Sequence, residues 1–169
     1  MIAIVAVDSN WAIGKDGGML YDLPSDLKHF ARETRGKTLV MGRATLESLP
    51  GGKPLPGRDN IVLTRNRDYQ VPGAVVLHSI AELAAHIRGL PPESVMLIGG
   101  DRLYHALIDS CETAIVTKID AESPADSFFP DLDERDNWRL DACSKDLAEN
   151  GLVFRYCTYR NLAVKPLHE

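Results

Sequence analysis

A chain of 169 residues with 44% hydrophobic and 25% charged residues fits one domain, residues 1–169, long enough to bury roughly 70% of the surface its unfolded form would expose. Its formal net charge of −5 argues against general affinity for nucleic acid or an anionic membrane, while leaving room for a local basic pocket. With no membrane-length apolar run, no basic leader ahead of IAIVAVD, and Cys111, Cys143 and Cys157 odd in number and far apart, the expectation is a cytoplasmic protein with reduced thiols and neither a disulfide framework nor a zinc site.

IAIVAVD (2–8) is apolar throughout and predicts a strand covered on both faces. NWAIGKDGGMLYDLP follows, with three glycines, the apolar anchors Trp11 and Ile13, and Met19. It is long for a strand-to-helix connection, and two readings stand: a passive excursion pinned by Trp11, or a lid over a ligand. PSDLKHFARET (24–34) has helical spacing, with Asp26 on the same side as Leu23, Leu27, Phe30 and Ala31, while Lys28, His29 and Arg32 lie elsewhere. Ser25 is available as the helix cap, which leaves Asp26 as either a second cap or a carboxylate held in a partly apolar place.

KTLVMG (37–42) predicts a strand and RATLESL (43–49) a helix. GGKPLPGRDN (51–60) is a stiff loop holding Leu55 and Arg58: a surface turn, or an arginine clamp for a carboxylate beside a leucine that covers an apolar ring. NIVLT (60–64) and AVVLH (74–78) are further strands, IAELAAHIR (80–88) a helix, SVMLIGG (94–100) a strand and DRLYHALI (101–108) a helix. TAIVTKID (113–120) carries Thr117 in its middle, as a β-branched filler or as a hydroxyl that orients a carboxylate such as Asp26. DLDERDN (131–137) reads as a solvated loop. WRLDACSKD (138–146) and LVFRYCTYRNL (152–162), separated by Asn150-Gly151, predict a hairpin and an antiparallel end to the sheet. The alternation of strands and helices argues α/β with a mostly parallel sheet.

LVMGRATLES and MLIGGDRLYHAL both run from apolar strand through glycine and arginine into a helix, and LTRNR puts Thr64 and Arg65 at a third strand end. Glycine lets backbone approach a ligand and the following helix offers free N–H groups, which suits phosphates. Each turn taken alone is weak and reads first as a tight connection with a surface arginine; three at equivalent strand ends are harder to read that way and point to a ligand. The G-x-G-x-x-G fingerprint is absent. His29, His78, His86, His105 and His168 show no metal-ligand spacing, so no metal is expected.

The stretches AIGKDGGML, LPSDLKHF, VMGRATLES, PLPGRDNIVLT, IGGDRLY, TKIDAE and DSFFPD, in that order, resemble dihydrofolate reductase, and the resemblance runs from IAIVAVD to FRYCTYR. It implies a central, mostly parallel eight-stranded sheet with an antiparallel C-terminal strand and flanking helices. It also implies an NADPH-dependent oxidoreductase that reduces 7,8-dihydrofolate to 5,6,7,8-tetrahydrofolate for one-carbon metabolism and thymidylate synthesis, acting as a monomer and open to antifolates. Asp26 would orient the pterin and favour its protonation at N5, Thr117 would hold Asp26 or the 2-amino group, Tyr21 would hold a water near the pterin, and Met19 would belong to the lid. Carbonyls of Ile4 and Ile98 would complete the pterin contacts together with Ala6. Leu27, Phe30, Leu49 and Leu55 would enclose the aminobenzoyl ring, and Arg58 would pair with the α-carboxylate of the glutamate tail.

For the cofactor, the resemblance implies Ala6, Ile13 and Tyr104 near the nicotinamide and Gly99 and Gly100, joined by a cis peptide, against the pyrophosphate. Arg43, Thr45, Thr64, Arg65, His78 and Arg102 would surround the phosphates and adenosine, with Gly42, Ala44, Ile98, Asp101 and Leu103 completing the nucleotide-facing turns. Tyr21 and Leu20 stand where many members have tryptophan and proline, Leu46 replaces another frequent tryptophan, and Asp101 follows the glycine pair where a small residue is common. Two rivals remain: a related reductase of a pyrimidine or other pterin precursor, and an idle nucleotide-binding module.

Overall fold

The computed structural model describes residues 1–167, so His168 lies outside the described residues. The chain forms β1 (Ile2–Val7), β2 (Ala12–Lys15), β3 (Gly18–Met19), α1 (Pro24–Thr34), β4 (Thr38–Gly42), α2 (Arg43–Ser48), β5 (Asp59–Leu63), β6 (Ala74–Leu77) and α3 (Ile80–Ile87). It continues through β7 (Val95–Gly99), α4 (Asp101–Leu107), β8 (Thr113–Ile119), β9 (Ser127–Phe128), β10 (Trp138–Cys143), β11 (Leu147–Glu149) and β12 (Leu152–Asn161). No helix among the described residues is long and apolar enough to cross a membrane.

The main sheet runs β10-β12-β8-β1-β7-β4-β5-β6, eight positions wide as expected, with β11 added as a ninth strand alongside β12. Strands β8 through β6 are mutually parallel and β12 is antiparallel to β8. The continuous apolar runs follow from burial on both faces. Ala3, Val40 and Leu97 point into one core layer with Trp11, Phe129 and Tyr159, while Ile4, Leu39, Met41, Met96 and Ile98 point into the other with Leu46. Because the strands are parallel, their carboxyl ends lie on one edge, which brings Gly42, Thr64 and Gly99 together there.

Three local expectations are corrected. The segment after β1, expected as a long loop, contains a hairpin, β2–β3, which pairs through β2 with β9 in a separate three-stranded sheet. Asp16 (φ 52°) and Gly17 (φ 78°) make its turn, and a side chain at Gly14 would put Cβ 2.8 Å from the Gly18 carbonyl oxygen, so only glycine fits. Ser25 does not cap α1: Pro24 sets helical geometry one residue earlier and Leu23 takes the cap position. The Ser25 N–H instead donates to Glu149 of β11 at 3.0 Å. Nor are all the thiols free, since Cys143 and Cys157 face each other across β10 and β12 and are joined by a disulfide (S–S 2.08 Å), leaving Cys111 buried as a thiol. The Asn150-Gly151 turn, with both residues at positive φ, makes a hairpin as expected, but its first arm is β11, whereas the 138–146 run supplies β10, which pairs with β12 separately.

Leu97, in the middle of the sheet and fully buried, gives a direct test of this packing. Leu97→Ala should cost about 2–5 kcal/mol of stability, read as a lowered midpoint in urea denaturation with little change of slope.

Candidate active site

Asp26 sits in the first turn of α1, and its Oδ1 accepts a 2.6 Å hydrogen bond from the Thr117 hydroxyl of β8. The two are 91 residues apart in sequence. Thr117 is buried and lies opposite Tyr156 of β12. The Tyr156 ring stacks on His29, one helical turn after Asp26, with centroids 4.1 Å apart. His29 was expected away from the interior; it is 8% exposed, and its Nε2 has no partner among the described residues. Leu27, expected inside, is 52% exposed. The α1 stripe is thus divided: His29 packs on the sheet, whereas Leu27 borders open surface beside Asp26.

Burial pushes the Asp26 carboxyl above its ordinary value of 3.8, the bond from Thr117 and the nearby His29 oppose that rise, and Glu149 adds to it. Burial likewise pushes His29 down, against the pull of Asp26. Phe30, Leu49 and Leu55 are partly buried against a cluster that includes Ile4, Leu46 and Ile98. Ala6 packs with Leu23 and Tyr21.

Arg58 is held without a carboxylate. Its Nη1 donates to Pro56 O at 2.9 Å and its Nη2 to Ala31 O at 3.4 Å. Burial and the neighbouring Arg35 both disfavour its charge. The loop is stiffened by Asn60, which sequence reasoning missed although it lies in PLPGRDN. Its side chain is buried, accepts from Leu55 N at 3.1 Å and donates to the carbonyls of Leu55 and Arg58 at 2.9 and 3.1 Å.

A second missed residue is Asp8, buried at the end of β1. Its Oδ1 accepts from the N–H groups of Asn10 and Ala12 at 2.9 and 3.0 Å, and its Oδ2 accepts from the Tyr21 hydroxyl at 2.9 Å. Tyr21 is therefore engaged with Asp8, and burial with that bond pushes its hydroxyl up to about 12. Met19, in β3, is 69% exposed.

At the carboxyl edge of the sheet, Gly99 and Gly100 are joined by a cis peptide. A Cβ on Gly99 would lie 3.3 Å from the Tyr104 ring and 3.4 Å from Thr45 Oγ1, and one on Gly42 would lie 3.9 Å from Gly99 O. Gly42 and Gly100 start α2 and α4 without a side-chain cap. Tyr104 donates its hydroxyl to Ile4 O at 2.7 Å, so that carbonyl already carries one bond. Arg43 pairs with Glu47 at 2.7 Å and lies over the Tyr69 ring at 4.5 Å, with Ala44 exposed beside it. Thr64 Oγ1 accepts from Asn66 N at 3.2 Å, His78 Nδ1 lies 2.9 Å from Thr64 O, and Arg65 and Arg102 are exposed. Ile13 and Leu103 are partly buried in the core layer that holds Tyr104. Asp101 does not turn back to cap α4; its Oδ2 accepts from Phe128 N at 2.8 Å.

The chain matches the family model for dihydrofolate reductase over residues 1–161. It is 40% identical over 137 residues to dihydrofolate reductase of Bacillus subtilis, covering 81% of this chain and 79% of that one. It is 42% identical over 133 residues to dihydrofolate reductase of Enterococcus faecium, covering 78% of each. The structure of dihydrofolate reductase from Enterococcus faecalis complexed with NADP(H) and RAB-propyl superposes with a TM-score of 0.84 at 38% identity, over 95% of both chains.

Because folding raises the proton affinity of Asp26, the folded state is favoured by protonating it. That stabilisation is full below the ordinary value of 3.8 and is lost as pH rises through the folded value. Asp26→Asn should therefore stabilise the protein against urea at neutral pH, and the gain should vanish below the ordinary carboxylate range.

Proposed function

The chain belongs to the dihydrofolate reductase family, and on that premise we propose how its own residues carry the reaction. It reduces 7,8-dihydrofolate to 5,6,7,8-tetrahydrofolate with NADPH. The carrying observation is a carboxylate tied to Thr117 at 2.6 Å beside the apolar group of Phe30, Leu49 and Leu55.

In this reading Asp26 accepts hydrogen bonds from the 2-amino group and N3–H of the pterin. Thr117 takes one lone pair of Oδ1 and leaves the other, together with Oδ2, for the two substrate donors. Two parallel bonds fix the ring in its plane, and a negative charge at that edge favours a proton at N5. Burial keeps Asp26 more basic than an ordinary carboxylate, nearer to what proton exchange at neutral pH needs. Leu27 and Leu55 flank the aminobenzoyl ring. Arg58, fixed by two carbonyls and set beside Arg35, presents its remaining N–H groups to the glutamate α-carboxylate, and the anion offsets the cost of two adjacent cations. A pyrimidine substrate without a carboxylate would leave that arrangement unused.

The residues at the carboxyl edge fit a dinucleotide. Gly42, Gly99 and Gly100 present bare backbone, and a side chain at Gly99 would crowd Tyr104 and Thr45. Arg43, Arg65 and Arg102 stand exposed at the three neighbouring strand ends and would hold the phosphates. NADPH supplies the hydride that adds to C6 of the pterin. The β2–β3 hairpin with Met19 acts as the cover that excludes water from the reacting atoms. The reading needs no residue from a second chain, so a monomer suffices for it, and the net charge of −5 gives nucleic acid no general attraction.

Purified protein mixed with NADPH and dihydrofolate should oxidise the one as it reduces the other, followed by absorbance; no turnover above background would sink the reading. Asp26→Asn should lower single-turnover hydride transfer roughly 100-fold or more near neutral pH, and less in acid, where the substrate is protonated without help. Equal loss at every pH would count against a role in proton supply. Arg58→Leu should raise the KM for dihydrofolate about 10- to 100-fold with kcat nearly unchanged; weakened NADPH binding alone would reassign that loop.

A further inference from the structure

Asp101 is the first residue of α4 and directly follows the Gly99–Gly100 turn. An acidic residue there ordinarily bonds the free N–H groups of its own helix. This one reaches away. Its Oδ2 accepts a 2.8 Å hydrogen bond from the N–H of Phe128, 27 residues further on, and its Oδ1 lies 3.2 Å from His105 Nδ1.

Phe128 belongs to β9, an edge strand of the small sheet. The inward groups of its segment are spent on the hairpin: Asp126 N donates to Gly14 O at 3.0 Å, and Phe129 N to Trp11 O at 2.8 Å. The Asp126 carboxylate accepts from Asp16 N at 3.0 Å, at the hairpin tip. Phe128 N–H faces the other way, and an outward N–H on an edge strand has no ladder partner. Asp101 supplies one. The glycine turn is therefore linked covalently to Asp101, Asp101 by a hydrogen bond to β9, and the β9 segment by further hydrogen bonds to Trp11, Gly14 and Asp16. Nothing in the cofactor-facing role of the turn requires an anion at that place.

We propose that Asp101 is a positioning residue that couples the Gly99–Gly100 turn to the β2–β3 hairpin through the Phe128 N–H. The proposal rests on the reading above, in which that turn faces NADPH and the hairpin covers the reacting atoms. A ligand that fixes the turn also fixes Asp101, hence β9 and the hairpin. By linkage, a fixed hairpin holds the ligand more tightly.

Asp101→Ala removes the acceptor, whereas Asp101→Asn removes the charge and keeps an oxygen that accepts from Phe128 N. Two measurements separate them: backbone hydrogen exchange of segment 12–19 with and without NADPH, and single-turnover hydride transfer at saturating NADPH and dihydrofolate. In the natural protein NADPH should slow exchange of the segment. Asp101→Ala should lose about tenfold of that protection and transfer hydride about tenfold more slowly, while Asp101→Asn stays within about threefold of the natural protein in both. A purely structural role would raise exchange equally with and without NADPH, and that result would overturn the coupling. So would an Asp101→Ala protein with full protection and full rate, or an Asp101→Asn protein as impaired as Asp101→Ala, since charge rather than the hydrogen bond would then be responsible. Absence of turnover in the natural protein would count against the proposed function instead, and the exchange measurement would still read the coupling.

Discussion

The architecture turns on keeping one carboxylate, Asp26, inside a partly apolar place. Burial disfavours its charge, and the Thr117 hydroxyl at 2.6 Å is the group that makes the charge tolerable. That requirement fixes the relation between α1 and the sheet. Thr117 must face α1 from the middle of β8, and Tyr156, its neighbour on β12, must leave room for His29 to stack one turn below. Glu149 at the end of β11 then holds the Ser25 N–H, so the antiparallel hairpin that closes the sheet also docks the start of the helix. The reversal of direction at β12 is thus tied to the site, since it brings the Asn150-Gly151 turn back to α1, where Asn150 donates to Asp22 O at 3.1 Å.

Acidic side chains do a second job around the hairpin. Asp8, Asp126 and Asp101 each accept from backbone N–H groups: Asp8 from Asn10 and Ala12 close by in sequence, Asp126 from Asp16 and Asp101 from Phe128 across longer separations. A segment of this kind has few apolar contacts of its own, because Lys15, Asp16, Gly17, Gly18 and Met19 are all exposed. Charge-assisted bonds to backbone N–H groups give it a defined position that hydrophobic packing alone would not. Asp8 also closes the base of the hairpin through Tyr21, whose hydroxyl reaches the carboxylate.

Much of this was legible in the sequence. The helix over 24–34 falls where the spacing puts it, and the apolar strand runs are within a residue or two of the observed bounds, because burial on both faces leaves little choice of conformation; the run 138–146 ends three residues past β10, and the short strands β2, β3, β9 and β11 carry no such pattern. The Asp26–Thr117 pair was legible only as a possibility, since a separation of 91 residues is bridged by topology and not by local pattern. What escaped was set by partners from elsewhere. Ser25 has the residue type of a cap, but Pro24 moves the cap position and Glu149 takes its donors. His29 was assigned to the polar side on helical spacing, yet an aromatic neighbour on β12 makes that side an interior. Cys143 and Cys157 are 14 residues apart in sequence, and only the register of β10 against β12 places them opposite one another. Asn60 and Asp8 lay inside stretches that had been singled out, but a polar residue at a strand boundary carries no sign of which backbone groups it will satisfy.

Arg58 shows how the charge distribution itself points to a ligand. The chain has 24 acidic and 19 basic Lys and Arg residues, so carboxylates are in excess. Arg43, Arg135, Arg139, Arg155 and Arg160 each have one within 4 Å. Arg58 is less exposed than most of these, and among the described residues it is held only by the neutral carbonyls of Pro56 and Ala31, with its Nε unpaired and Arg35 close by. Placing two cations together and withholding an available counter-ion is unfavourable in the free protein. An anion that arrives with the substrate removes that penalty only in the complex, so the same arrangement which weakens the empty site strengthens binding of a molecule carrying a carboxylate. In the proposed reading, with Asp26 at the opposite end, the two charged groups would select a ligand that offers hydrogen-bond donors at one end and a carboxylate at the other, with an apolar ring between to meet Leu27, Phe30, Leu49 and Leu55. A folate has that order of groups.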